Sequence, residues 1–231
     1  METGNDPMTV DERIDRCLRE GSTTLDLSGL DLDTVPESLG DLTHLTNLYL
    51  DSNRLTALPE SVGNLSALTE LHLYGNRLTV LPEGLGNLTG LTELHLADNR
   101  LTVLPECLGN LTGLTNLYLD SNRLTVLPES LGNLAALTSL SLNANQLTAL
   151  PESLGNLSAL TSLSLDDNRL TALPESMRNL TALTDLRLGS SRLNTKQLPV
   201  LPEWLRDLPA LSEYTWFLLN EAYWSIGDGC P

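Results

Sequence analysis

The chain of 231 residues carries a formal net charge of −17 at pH 7. Such an acidic surface repels phosphate, which argues against nucleic acid and anionic membranes and leaves polar or basic protein surfaces as partners. Hydrophobic residues make up 41% but aromatic ones only 4%, so the core must be filled by leucine and valine in thin, repeated aliphatic layers.

The first residues, 1 to 8, are polar and lack the apolar stretch of a signal peptide. No run approaches ~18 uninterrupted apolar residues, so no membrane span is expected. The three scattered cysteines, Cys17, Cys107 and Cys230, form no disulfide framework. Together these features point to a reducing, cytoplasmic location. Thr9 to Glu20 reads as an amphipathic helix. Thr9 and Glu12 make a capping box, Val10, Ile14, Cys17 and Leu18 form the apolar stripe, and Gly21 suits the stop. Residues 1–21 are expected to be an N-terminal capping helix.

Internal repetition dominates residues 22–210. Leu45, Leu68, Leu91, Leu114, Leu137, Leu160 and Leu183 recur at a spacing of 23 residues. The shared text is Leu-Thr-x-Leu-x-Leu-x-x-Asn-Arg-Leu-Thr-x-Leu-Pro-Glu-x-Leu-Gly-Asn-Leu-x-x. Leu48 and Leu50 point to one side of a short strand, because strand side chains alternate. Leu55, Leu58, Val62 and Leu65 fill the layer behind it. Pro59 fixes φ and ends the extended run, and Gly63 suits a tight backbone position. The segment from Glu60 to Asn64 predicts a helical turn. Ser22 to His44 is a degenerate first copy with Leu30 in place of asparagine, which gives eight copies in all. The Asn-Leu-Ser/Thr triplets at Asn64, Asn87, Asn110, Asn156 and Asn179 match a glycosylation acceptor pattern but recur because the repeat does.

This text resembles the leucine-rich repeat family, and its Leu-Pro form resembles intracellular and bacterial members. The resemblance implies an α/β solenoid, a horseshoe with short parallel strands on the concave face and helical turns on the convex face. It also implies an asparagine ladder, Asn53, Asn76, Asn99, Asn122, Asn145 and Asn168, whose amides donate to and accept from buried loop backbone. The helix followed by Thr24-Leu25-Asp26-Leu27-Ser28-Gly29-Leu30 is similar to the entry of arrays in bacterial multidomain proteins of the Roco type. No Gly-x-x-x-x-Gly-Lys-Ser/Thr loop is present, so the GTPase activity of that type does not carry over.

The last copy departs from the pattern. Ser191 stands at the asparagine position, and Leu201-Pro202 arrives late, so Asn194 to Val200 holds an insertion. Six of the nine aromatic residues lie between Trp204 and Trp224. Residues 211–231 are expected to form an aromatic C-terminal cap and a flexible tail.

Function is sought at the variable strand positions. The residue between the two strand leucines reads Asp26, Tyr49, His72, His95, Tyr118, Ser141, Ser164, Arg187 along the array. Tyr49, Glu70, His72, Tyr74, Glu93, His95, Tyr118 and Asp120 are the expected partner-binding residues of a non-catalytic protein-binding module. Eight strands at ~4.8 Å span roughly 38 Å, enough for a standard interface. One alternative is a carrier whose tail, Tyr223 to Pro231, is docked or modified. Another is a zinc site at Glu70, His72, Glu93 and His95, although tandem repetition places like residues side by side without any such role. Arg54, Arg77, Arg100, Arg123, Arg169 and Arg192, just after the asparagine position, are expected to pair with Asp51, Asp98, Asp120 and Asp167, and the glutamates after the prolines to be structural. No cysteine has a visible base, and no enzyme activity or cofactor is expected. The chain is expected to be a monomer.

Overall fold

The computed structural model describes residues 8–189 and 202–211. The insertion at Asn194 to Val200 and the tail from Tyr223 to Pro231 lie outside the described residues. Helix α1, Val10–Glu20, begins with the capping box: Thr9 Oγ1 accepts the Glu12 N–H and Glu12 Oε2 accepts the Thr9 N–H. Gly21 ends it at φ 63°, in the left-handed region. Ile14 and Cys17 are buried, whereas Leu18 is 47% exposed and leaves the expected apolar stripe.

Eight three-residue strands follow: β1 Thr24–Asp26, β2 Asn47–Tyr49, β3 Glu70–His72, β4 Glu93–His95, β5 Asn116–Tyr118, β6 Ser139–Ser141, β7 Ser162–Ser164 and β8 Asp185–Arg187. They form one parallel sheet in chain order. Each pairs with the next one repeat on, as in Tyr49 with His72. Helix α1 packs on β1, covering the first edge. Alternation buries Leu48 and Leu50 completely and leaves Tyr49 half-exposed.

The expected helical turns are 3-10 helices of five residues, such as Glu60–Asn64, each entered through a proline, in extended conformation in the first seven. The tighter 3-10 geometry suits so short a segment. The glycine present in the first six turns marks where one turn's backbone touches the next: a Cβ on Gly109 would lie 2.5 Å from the Ser130 carbonyl oxygen.

Three ladders tie the repeats together. Asn99 donates to the Leu73, Leu96 and Ala97 carbonyls and accepts the Leu78 N–H. The first repeat has no earlier carbonyls to bridge, and there Leu30 packs against the core instead. Thr69 and Thr92 donate their hydroxyls to the threonine carbonyl one repeat back. Glu60 accepts the Gly84 N–H, and Glu106 the Ser130 N–H. The glutamate ladder thus satisfies N–H groups at the start of the following turn, where a helix leaves them unpaired.

The residue before each ladder asparagine is left-handed: Ser52, Gly75, Asp98, Ser121, Ala144 and Asp167 all have positive φ. Ala144 has neither glycine's freedom nor a polar side chain to compensate. Ala144→Gly is expected to stabilise the protein by roughly 0.5–1 kcal/mol, read from the urea midpoint.

Candidate functional site

The strand register places four rings in one row on the exposed face of the sheet. Tyr49 and His72 have centroids 4.6 Å apart, His72 and His95 4.1 Å, and His95 and Tyr118 4.5 Å. The two imidazoles are nearly parallel at 12°. Neighbouring strands are spaced at about a stacking distance, so rings on successive strands at one position must lie against each other.

Carboxylates line both sides of the row. On one side Glu70 Oε2 lies 3.4 Å from the Tyr49 hydroxyl and 3.8 Å from His72 Nε2. Glu93 Oε2 lies 3.3 Å from His95 Nε2, and its Oε1 accepts from Asn116. On the other side Asp51 accepts the Tyr74 N–H at 2.8 Å and stands 4.0 Å from His72 Nδ1. Asp120 accepts from the Ser141 hydroxyl and the Asn143 N–H. Tyr74 is 48% exposed beside the row. The structure therefore gathers Tyr49, Glu70, His72, Glu93, His95 and Tyr118 into one unit. Tyr74 and Asp120 flank it, and Asn116 and Ser141 join it through the register, which the sequence periodicity already implied.

Burial, and then the neighbouring His95, pull His72 below its ordinary value of 6.5. Burial pushes Asp51 up, partly offset by its hydrogen bond from Tyr74 and by both histidines. For His72 the unfolded chain takes up the proton first as pH falls below 6.5, so this part of the stability is present above 6.5 and is lost from there down to the lowered value. An NMR titration is expected to place the His72 midpoint below 6.5. His95→Ala is expected to move it back up, because that change removes both a like charge and part of the covering surface.

The expected pairing of the arginine ladder needs correction. Arg54 pairs with Asp31 of the preceding repeat at 2.8 Å. Asp51 and Asp120 take backbone N–H groups, and Asp98 the Tyr74 hydroxyl, so these carboxylates serve the sheet and not the arginine ladder. The geometry also gives the alternative zinc site no support. Among the described residues no group of three or more His, Cys, Asp or Glu is arranged to hold a metal ion. Stacked imidazoles direct their nitrogen lone pairs side by side, whereas a tetrahedral ion needs them to converge. Cys107 is pushed up to about 11 by burial and the adjacent Glu83, so it is a thiol and a poor nucleophile at neutral pH. Among the described residues no helix is long and apolar enough to cross a membrane.

The family model for a leucine-rich repeat region matches residues 23–124 and 104–217. Among solved structures, a leucine-rich repeat protein of Leptospira interrogans is 34% identical, with a TM-score of 0.73, over 78% of this chain and 45% of that one. PEPR1, solved with AtPEP1, is 36% identical with a TM-score of 0.66 over 73% of this chain and 25% of that one. The plant peptide hormone receptor RGFR1, solved in complex with RGF2, is 32% identical with a TM-score of 0.62 over 68% of this chain and 26% of that one. The chain thus spans less than half the length of each. Among curated proteins nothing matches.

Proposed function

Because the chain belongs to the leucine-rich repeat family, whose domains commonly bind other proteins, we propose that it is a non-catalytic module that engages a polar or basic protein surface through its concave sheet. The observation that carries this is the pre-stacked row Tyr49, His72, His95 and Tyr118, bordered by Glu70 and Glu93. Rings already held against one another lose little freedom on binding, and tyrosine is favoured at interface hot spots. Tyr74 and Asp120 extend the face on its other side. RGFR1, itself solved with a bound partner, supports a binding rather than a chemical role.

In this reading residues 1–21 cap the array, residues 22–210 are the repeats and residues 211–231 close it. The module works as a monomer, without cofactor or nucleic acid, in the cytoplasm, where Cys17 and Cys107 stay free. Affinity capture from the native host, comparing the intact chain with Tyr49→Ala/His72→Ala, tests it. The double variant is expected to retain its circular dichroism and lose the captured partner by roughly tenfold or more. Equal capture by both proteins overturns the reading.

A further inference from the structure

We propose that the sheet carries a subsite for a guanidinium group, an arginine of the partner, at the place where the ring row stops. The proposal rests on the concave-face reading and narrows it to one side chain. His95 covers one face of Tyr118. In register beyond Tyr118 come Ser141 and then Ser164. A serine side chain is too short to cover a phenol ring. The outer face of Tyr118 therefore opens over a floor made by Ser139, Ser141, Ser162 and Ser164. The floor is two strands wide, about 10 Å.

What fits the step is a flat group continuing the stack, whose rings already recur every 4.1 to 4.6 Å. Charge selects among flat groups. Asp120 lies two residues beyond Tyr118 on the same strand direction, hence on the same side of the sheet. Both of its hydrogen bonds, from Ser141 and Asn143, fall on Oδ1, so Oδ2 remains as an acceptor. Asp166, which is half-buried, stands two repeats further on at the same position, and burial raises its pKa. Arg187 already offsets part of that rise, so Asp166 adds to the negative field at the floor's far side while Asp120 remains the carboxylate nearest Tyr118. Arg187 bounds the far side and is paired with Asp185 at 3.3 Å. Its like charge favours the Tyr118 end of the slot over the middle of the floor. A guanidinium meets these demands together: it is planar, stacks on aromatic faces, and presents several N–H donors to a carboxylate and serine hydroxyls. An ammonium lacks the plane, and a phenyl ring lacks the donors.

The test uses the full chain, labelled for NMR, at about 150 mM salt, where the Debye length is about 8 Å and long-range attraction to the acidic surface is largely screened. The probes are the peptide acetyl-Ser-Gly-Arg-Gly-Ser-amide and its lysine, citrulline and phenylalanine counterparts. The arginine peptide is expected to give saturable shifts centred on Tyr118, Asp120, Ser141 and Ser164, with the other three at least about fivefold weaker. Tyr118→Ala and Asp120→Asn are each expected to weaken it roughly tenfold, and Tyr118→Phe to retain it. Shifts spread over the acidic surface and indifferent to Tyr118→Ala overturn the subsite, as does equal or tighter binding of the phenylalanine peptide. Partner capture that depends on Tyr49 and His72, with no response to the arginine peptide, overturns the subsite and keeps the concave-face reading. Capture indifferent to those residues, with the peptide still bound at Tyr118, does the reverse.

Discussion

Asn99→Ala is expected to lower the unfolding free energy by about 3 kcal/mol, measured by urea denaturation. The side chain is 7% exposed and holds four backbone groups drawn from two repeats. Removing it leaves the Leu78 N–H buried without a partner, which alone costs about 1–3 kcal/mol, and takes one of two amide donors from each of the Leu73 and Leu96 carbonyls, which keep Asn76 and Asn122. Asn99→Asp separates the two halves of the amide. It keeps an oxygen for Leu78 but points a carboxylate at three carbonyl oxygens, so it is expected to be no better than alanine. A loss under about 0.5 kcal/mol in Asn99→Ala, the range of ordinary surface changes, would show that the ladder is ornamental to stability.

Gly109→Ala is expected to cost about 2–3 kcal/mol by the same measurement. The added methyl would meet the Ser130 carbonyl oxygen at 2.5 Å and the Ser130 Cβ at 2.6 Å. The first of these is backbone and cannot rotate away, so adjacent turns must separate. Gly90→Ala is the control. Its nearest neighbour, the Leu68 carbonyl oxygen, is at 3.6 Å, an ordinary contact, and the change is expected to fall within about 0.5 kcal/mol of wild type. Equal effects at the two positions would mean that glycine acts through unfolded-chain entropy and not through close approach.

Much of this architecture was legible because the repeat forces one environment on every copy. A leucine recurring every 23 residues can only be core, and an asparagine at a fixed place beside it has to answer buried backbone. The substitution at Leu30 was legible too, but its reason was not: it required knowing that the amide reaches one repeat backwards. Reach between repeats also decided the partners of Thr69, which donates one repeat back, and of Glu60, which was expected to be structural but whose acceptor role toward Gly84 one repeat on is visible only once the turns are stacked. The left-handed position escaped notice because Gly75, Ser52, Asp98 and Ala144 share no chemistry, only a dihedral angle. At the site, the register alone made His72 and His95 neighbours. Whether neighbours stack or converge on an ion depends on rotamers, which periodicity leaves open, and so does the choice of Asp31 over Asp51 by Arg54.

The glycine row has a consequence for shape. Strands on the front of the array lie ~4.8 Å apart. On the back, glycine lets the turns sit backbone against backbone, with no side chain between Gly109 and Ser130. Curvature in a stacked array follows from the difference in thickness between its two sides. A back this thin brings the turns close to the spacing of the strands, which limits how strongly the array can bend around the ring row. The bend is thus limited on the side away from the rings, and because Arg178 replaces the glycine in the turn Glu175–Asn179, the row of close approaches runs, among the described residues, only as far as Gly155 against Ser176.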